Sequence, residues 1–337
     1  MATLTHDAPV GRVTSGIGLA LVSAGSFGMS GSLARGLMDL GWTAGAATLA
    51  RVGIAAIVLV VPGMLALRGR WSLLRRGAGT ILAYGMFAVV GAQLCYFMAV
   101  STLDVSVALL IEYLSPVAVV AWLWVRHGHR PARATFLGAA IAAVGLVLLL
   151  DVLGGGPLST TGVAWALGAM VGAAVYFVIS GDDRTGLPPI TLAAGGLVVA
   201  FVGLIVAAAL GVLPVTFVAG DVRFVPFDAP VWTVLLALGV ITAGVAYVAG
   251  IAATRRLGAR LASFVGLLEV VAATLLAWFL LGQAPGATQF AGAALVLLGV
   301  IVVKLGEKDD VAVADAPVLT VPPTMPPTVE PPTVVAA

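Results

Sequence analysis

Ten apolar runs, each near the length needed to cross a bilayer, follow one another along this chain, and no other feature limits its folding as strongly. They occupy Gly16 to Leu37 and then about 44–65, 79–100, 104–126, 134–153, 160–180, 190–213, 231–252, 259–281 and 286–304. A spanning helix takes roughly 20 residues at a rise of about 1.5 Å each. Within lipid every backbone N–H and C=O must be satisfied internally, and runs of this length meet that demand as helices. Charged residues make up only 9% of the chain, against about a quarter of a typical soluble domain, and they are bunched between the runs. A soluble globule is excluded.

The first run follows a short polar segment, residues 1–15, and has the position of a signal peptide. Its length and its recurrence argue that it is retained: Gly16, Ile17, Ala20 and Leu21 match Gly162, Val163, Ala166 and Leu167 at a constant offset of 146. The end of each half repeats as well. Trp124, Gly128, Pro131, Phe136, Gly138 and Gly145 align with Trp278, Gly282, Pro285, Phe290, Gly292 and Gly299 at an offset of 154. Two five-helix units are implied, 16–153 and 160–305. Five is odd, so the second unit enters the membrane from the opposite side. The fold class is all-α and integral to the membrane, ten helices in two inverted repeats, an architecture common among secondary transporters.

Basic residues provide an independent check, because they collect in cytoplasmic loops. With both termini cytoplasmic, the inner segments hold Arg12, Arg68, Arg70, Arg75, Arg76, Arg126, Arg130, Arg133, Arg184, Arg255, Arg256, Arg260, Lys304 and Lys308, fourteen of seventeen. Arg35 and Arg223 fall outside, and Arg51 lies within a span.

Three ionisable groups sit deep in the spans: Arg51, Glu112 and Glu269. A charge at the bilayer centre costs about 2.5–3.5 kcal/mol on insertion scales, so such groups face a protein partner or a water-filled cavity. Pro116, four residues after Glu112, removes a ladder donor, which is tolerated at that depth only where protein or a cavity re-satisfies the backbone. The stretch from Val105 to Val125 therefore reads as cavity wall. Arg51 and Glu112 each lie roughly 12 Å below the outer face. The favoured reading of Arg51 is a structural ion pair with Glu112. Glu269 reaches roughly the midplane of a core about 30 Å thick, with no basic partner in view at that depth, so it is the better candidate for proton coupling, with Glu112 second.

Further polar groups suited to the same cavity are Gln93 and Tyr96, on one face of the third helix, Tyr113 and Ser115 in the fourth, Tyr176 and Ser180 in the sixth, and Thr242 and Tyr247 in the eighth. Tyr96 aligns with Tyr247 at an offset of 151. The plain alternative for each tyrosine is interfacial or interhelical packing. Gly25, Ser26, Gly28, Ser30, Gly31 and Ser32 suit close helix packing. The single cysteine, Cys95, forms no intrachain disulfide and reads as a small buried side chain. Gly154-Gly155-Gly156 lacks the Lys and Ser/Thr of a phosphate loop and reads as a connector, and His127 and His129 lack the companions of a metal site. Asp182-Asp183 would be half of a site in a membrane enzyme acting on lipid-linked substrates, but no second acidic cluster faces it. The tail over 307–337, with three Pro-Pro pairs, reads as extended and disordered.

Several of these features together carry a resemblance: Thr48 with Arg51, IEYLSP at 111–116, ALGA at 166–169 followed by Tyr176 and Ser180-Gly181, and LLEVVAA at 267–273. Over residues 14–305 the chain resembles the EamA-type drug/metabolite transporters, most of all the bacterial threonine/homoserine exporters. It departs from their pattern at Val270, where a proline commonly follows the acid. The resemblance implies a ten-helix inner-membrane exporter, not an enzyme, that moves small metabolites or drugs, amino acids among them, by the proton gradient. Substrate would lie between the halves, touching Glu112, Gln93, Tyr96, Ser115, Tyr176 and Tyr247. Its partners are then a small solute and the lipid bilayer, with a homodimer as a compatible assembly and no nucleic acid, metal or cofactor.

Overall fold

The computed structural model describes residues 8–103, 105–128, 131–151 and 159–314. Their helices are α1 (Ala8–Asp39), α2 (Ala44–Leu65), α3 (Ser72–Val100), α4 (Val105–Arg126), α5 (Arg133–Leu149), α6 (Thr160–Gly181), α7 (Pro189–Ala209), α8 (231–257), α9 (259–281) and α10 (Ala287–Ala314). All ten expected spans are present. By hydropathy and helical bonding alone the stretch Val231–Gly266 passes for one 36-residue span. Gly258, at φ +80° and ψ 157°, breaks it, a backbone conformation that glycine alone adopts readily. Some ends run further than expected: α1 starts at Ala8, α3 at Ser72, and α10 continues to Ala314 into the stretch read as tail. Residues 315–337 and the connector at 154–156 lie outside the described residues.

Local chemistry sets the boundaries. The Thr43 hydroxyl caps α2 by accepting from the Ala46 amide at 3.2 Å, and Ser159 does the same for α6 through Gly162 at 3.3 Å. Pro189 opens α7, where its missing N–H costs nothing. Gly128 and Gly282 close α4 and α9, both left-handed at φ +69°, and they are partners under the offset of 154.

The inversion is written in the contact between α5 and α10. A Cβ at Gly138 would stand 2.7 Å from the Gly299 carbonyl oxygen, and one at Gly145 would stand 2.8 Å from that of Gly292. The repeat pairs Gly138 with Gly292 and Gly145 with Gly299, so a twofold operation maps each of these contacts onto the other. Small residues let the two backbones touch, the usual basis of helix association in lipid.

The first helix of each unit is exchanged. α1 packs along α8 and α9 of the second unit, and α6 packs along α3 and α4 of the first. α2 and α7 face each other across the same interface. The outer end, by the orientation argued from the loops, carries an element the sequence reading lacked: a hairpin of β1 (Asp221–Arg223) and β2 (Asp228–Pro230). Val222 and Phe224 are buried against Gly36 of α1, the Trp42 indole donates to the Val218 carbonyl at 2.6 Å, and the Val225 amide donates to the Leu280 carbonyl at 2.8 Å. Asp221, Arg223 and Asp228 break the hydrophobic pattern of the neighbouring runs, and three residues per strand give too short an alternation to stand out.

Candidate functional site

Two spans are interrupted at equivalent places. α4 runs helically from Val105 to Glu112, turns at Tyr113 and Leu114, and resumes at Ser115. The Tyr113 and Leu114 amides donate to the Leu109 and Ile111 carbonyls at 2.8 and 3.2 Å, so the break is satisfied locally. Pro116 stands in the first turn of the resumed helix, the position where its missing N–H is harmless. α9 is interrupted at Leu267 and resumes at Leu268, with Glu269 in the first turn. Under the offset of 154, Leu267 is the partner of Tyr113. Glu112 thus ends one half-helix and Glu269 begins another, where unpaired N–H groups favour an anion.

The two breaks meet. The Tyr113 phenol donates to Oε1 of Glu269 at 3.3 Å, and Glu112 lies within electrostatic range of Glu269. Tyr96 is half-buried within range of Glu112. α1 lies directly on the α9 break, because a Cβ on Gly28 would come 2.8 Å from the Glu269 carbonyl oxygen. The close-packing role expected of the α1 small residues therefore holds at Gly28, whereas Gly25 and Gly31 have nothing within 4 Å of that position. A void of 10 Å³ beside the α4 break, bordered by Tyr113, Leu114 and Pro116, has the size of about one water.

Arg51 does not form the ion pair expected with Glu112. Among the described residues no carboxylate is ion-paired to it. Its Nη2 donates to the Thr242 carbonyl at 2.6 Å, and its guanidinium carbon stands 5.5 Å from the centre of the Phe27 ring. The acid within its electrostatic range is Glu269. The reason lies in α8, whose residues Ala237–Val245 form a π-helical segment and present that carbonyl to α2. α3 has a π-helical segment too, Tyr84–Gly91, and the two overlap under the offset of 151. Such segments are uncommon and often mark functional sites.

Tyr176 and Tyr247 enter one aromatic cluster with Phe27 and Tyr84. Tyr247 lies 5.0 Å from Phe27 and 5.9 Å from Tyr176, and Tyr84 lies 5.9 Å from Tyr176. The Tyr176 hydroxyl sits over Gly250 near Ser23, in space that any side chain at 250 would fill. The hydroxyls of Tyr84, Tyr176 and Ser180 are buried, with that of Tyr84 facing Ser180 and that of Tyr176 facing Ser23. Tyr84 was not singled out by the sequence reading, since nothing in the apolar run around it announces a π segment.

Of the remaining candidates, Ser115 is buried, Gln93 is half-buried, and neither joins the contacts above. Cys95 is half-buried, with its sulfur over Gly168 of α6. The Asp182 carboxylate takes Nε and Nη2 of Arg184, which holds it below the usual carboxylate range. His129 lies outside the described residues.

Comparison with known proteins agrees with this architecture. The chain is 23% identical over 306 residues to the uncharacterized inner membrane transporter YicL of Salmonella typhimurium, covering 89% of this chain and 98% of that one. It is 27% identical over 209 residues to an uncharacterized transporter of Archaeoglobus fulgidus, 61% of this chain and 70% of that one. A solved crystal structure shares the fold with a TM-score of 0.66 at 22% identity, over 87% of this chain and 98% of the other. The sequence model of the EamA-like transporter family matches residues 14–151 and 160–305, which are the two inverted units. With both repeats matched, this multi-pass membrane protein belongs to the EamA-like transporter family.

Proposed function

We propose that this transporter is a secondary active exporter of small metabolites, amino acids such as threonine and homoserine among them, working by alternating access across the inner membrane. Both termini are cytoplasmic in this reading, because fourteen of the seventeen basic residues then face the cytoplasm. The supporting observation is that two carboxylates, Glu112 from one repeat and Glu269 from the other, stand at interrupted helices within electrostatic range of each other, with Tyr113 bonded across to Glu269. Half-helix ends at membrane depth are a recurrent way for transporters to build substrate and ion sites.

The chemistry follows from competition. A deprotonated Glu269 or Glu112 meets the substrate's ammonium group, while Tyr96, Tyr176, Tyr247, Gln93 and Ser115 offer hydrogen bonds and an aromatic wall. A proton arriving from outside neutralises the same carboxylate and removes the attraction, so substrate leaves as the proton enters. A ligand shifts the two conformations only as far as its affinities for them differ, and a carboxylate shared by proton and substrate supplies that difference. Arg51, held on Thr242 and Phe27, keeps a fixed positive charge within range of Glu269.

The test is to measure intracellular amino-acid accumulation in cells lacking and overproducing the protein, with and without a proton gradient. Lower accumulation of particular amino acids on overproduction, lost in Glu269→Gln, is expected. Unchanged efflux for every amino acid, with Glu269→Gln also silent, overturns the proposal.

A further inference from the structure

On the face that carries the arginine-rich loops, a cavity of 510 Å³ opens between the start of α1, the α2–α3 loop, the α6–α7 loop and the last turns of α8. Four arginines line it, Arg12, Arg70, Arg255 and Arg256, against one acid, Asp183. None of the four is ion-paired to a carboxylate among the described residues. Arg255 is the innermost: its Nη1 donates to the Leu187 carbonyl, while Nε and Nη2 are buried and unpartnered. Arg12 donates through Nη2 to the Arg255 carbonyl at 3.3 Å, and Arg70 through Nε to the Leu67 carbonyl at 3.4 Å. Three guanidinium groups are thus anchored to backbone carbonyls, with donors to spare.

Buried donors without acceptors are costly, and a guanidinium is built to grip an oxyanion through two parallel bonds. Four arginines face the single lining acid Asp183, with Asp182 also within electrostatic range of Arg255, and the positive excess that remains is offset further by a phosphate group, which carries up to about two negative charges, than by a single carboxylate ligand. We propose that this vestibule is a phosphate-binding site, the group being supplied either by a soluble phosphorylated solute or by the headgroup of an anionic lipid. The site is separate from the carboxylates at the helix breaks and does not depend on what passes them.

The test uses the full chain in nanodiscs of phosphatidylcholine, titrated calorimetrically with inorganic phosphate, and a second set in which a third of the lipid, roughly, is phosphatidylglycerol, read by native mass spectrometry for retained lipid. Saturable phosphate binding that Arg255→Gln weakens about tenfold or more, and Arg255→Lys weakens less, supports a soluble ligand. Arg75→Gln and Arg76→Gln serve as controls, since these arginines stand in the first turns of α3, just after the same loop, but do not line the cavity. Silence with phosphate, together with phosphatidylglycerol that co-purifies with the wild type and is stripped by Arg255→Gln, assigns the site to lipid. Neither phosphate binding nor lipid retention, or equal losses in the Arg75 and Arg76 controls, overturns the proposal. Thermal melting of each variant separates loss of binding from loss of fold.

Discussion

The Tyr113 phenol donates to Oε1 of Glu269 at 3.3 Å, and this bond ties the interrupted turn of one repeat to that of the other. Tyr113 and Glu269 are 156 residues apart in sequence, and each lies beside a break that its own helix satisfies locally. If Glu269 exchanges the coupling proton, Glu269→Gln keeps the shape and removes the titration. Efflux driven by an imposed pH gradient in proteoliposomes should then fall by at least about tenfold, whereas Tyr113→Phe, which leaves the carboxylate in place, should cost less. Equal gradient dependence in wild type and Glu269→Gln contradicts the assignment.

Arg51 spans from α2 to the π segment of α8. Removing its guanidinium in Arg51→Met deletes a charge-assisted bond worth about 1.5–3 kcal/mol and the contact with Phe27. A lower melting temperature is expected. Arg51→Lys should lie between the two, because one ammonium can reach a carbonyl but does not lie flat on a ring. Melting of purified protein in detergent measures both.

At the α5–α10 seam a methyl group on Gly138 would meet the Val303 side chain at 2.6 Å and, behind it, backbone that cannot turn aside, the Gly299 carbonyl oxygen at 2.7 Å and the Val303 nitrogen at 2.9 Å. Gly138→Ala and Gly299→Ala should each destabilise by about 1–3 kcal/mol, as overpacked sites do. The double substitution should cost less than the sum, because one separation of the helices relieves both. Gly31→Ala, where nothing stands within 4 Å, is the control and should leave stability unchanged or slightly improved.

The hairpin packs Val222 directly over Gly36 of α1. In a Cys95→Ser background, the Gly36→Cys/Val222→Cys pair should oxidise readily. If the outer end opens during transport, oxidation should stop flux and reduction should restore it. Undiminished flux in the cross-linked protein, assayed in the same vesicles before and after reductant, shows that α1 and the hairpin move together.

Much of this architecture is legible in the sequence because lipid enforces it. Apolar length gives the spans, and the offset of 154 that pairs Gly138 with Gly292 gives the repeats and, five being odd, their inversion. Depth is legible as well, which is why Glu112 and Glu269 emerge as neighbours in height. Azimuth is not. Arg51 sits at a depth that suits Glu112, yet it turns to a carbonyl of α8, and no count of residues along α2 fixes that rotation. The π segments and the buried hydroxyl of Tyr84 escape for a related reason: a widened helical turn is imposed by packing across helices and leaves no periodic trace in its own run.

The glycine seam has an evolutionary corollary. Because the contact of Gly138 with Gly299 and that of Gly145 with Gly292 exchange under the twofold operation, neither surface needs features the other lacks. Two copies of one five-helix polypeptide, threaded into the bilayer in opposite directions, would close the same joint. A gene fusion that later freed each copy to diverge would leave that joint as the least altered trace of the ancestral pair.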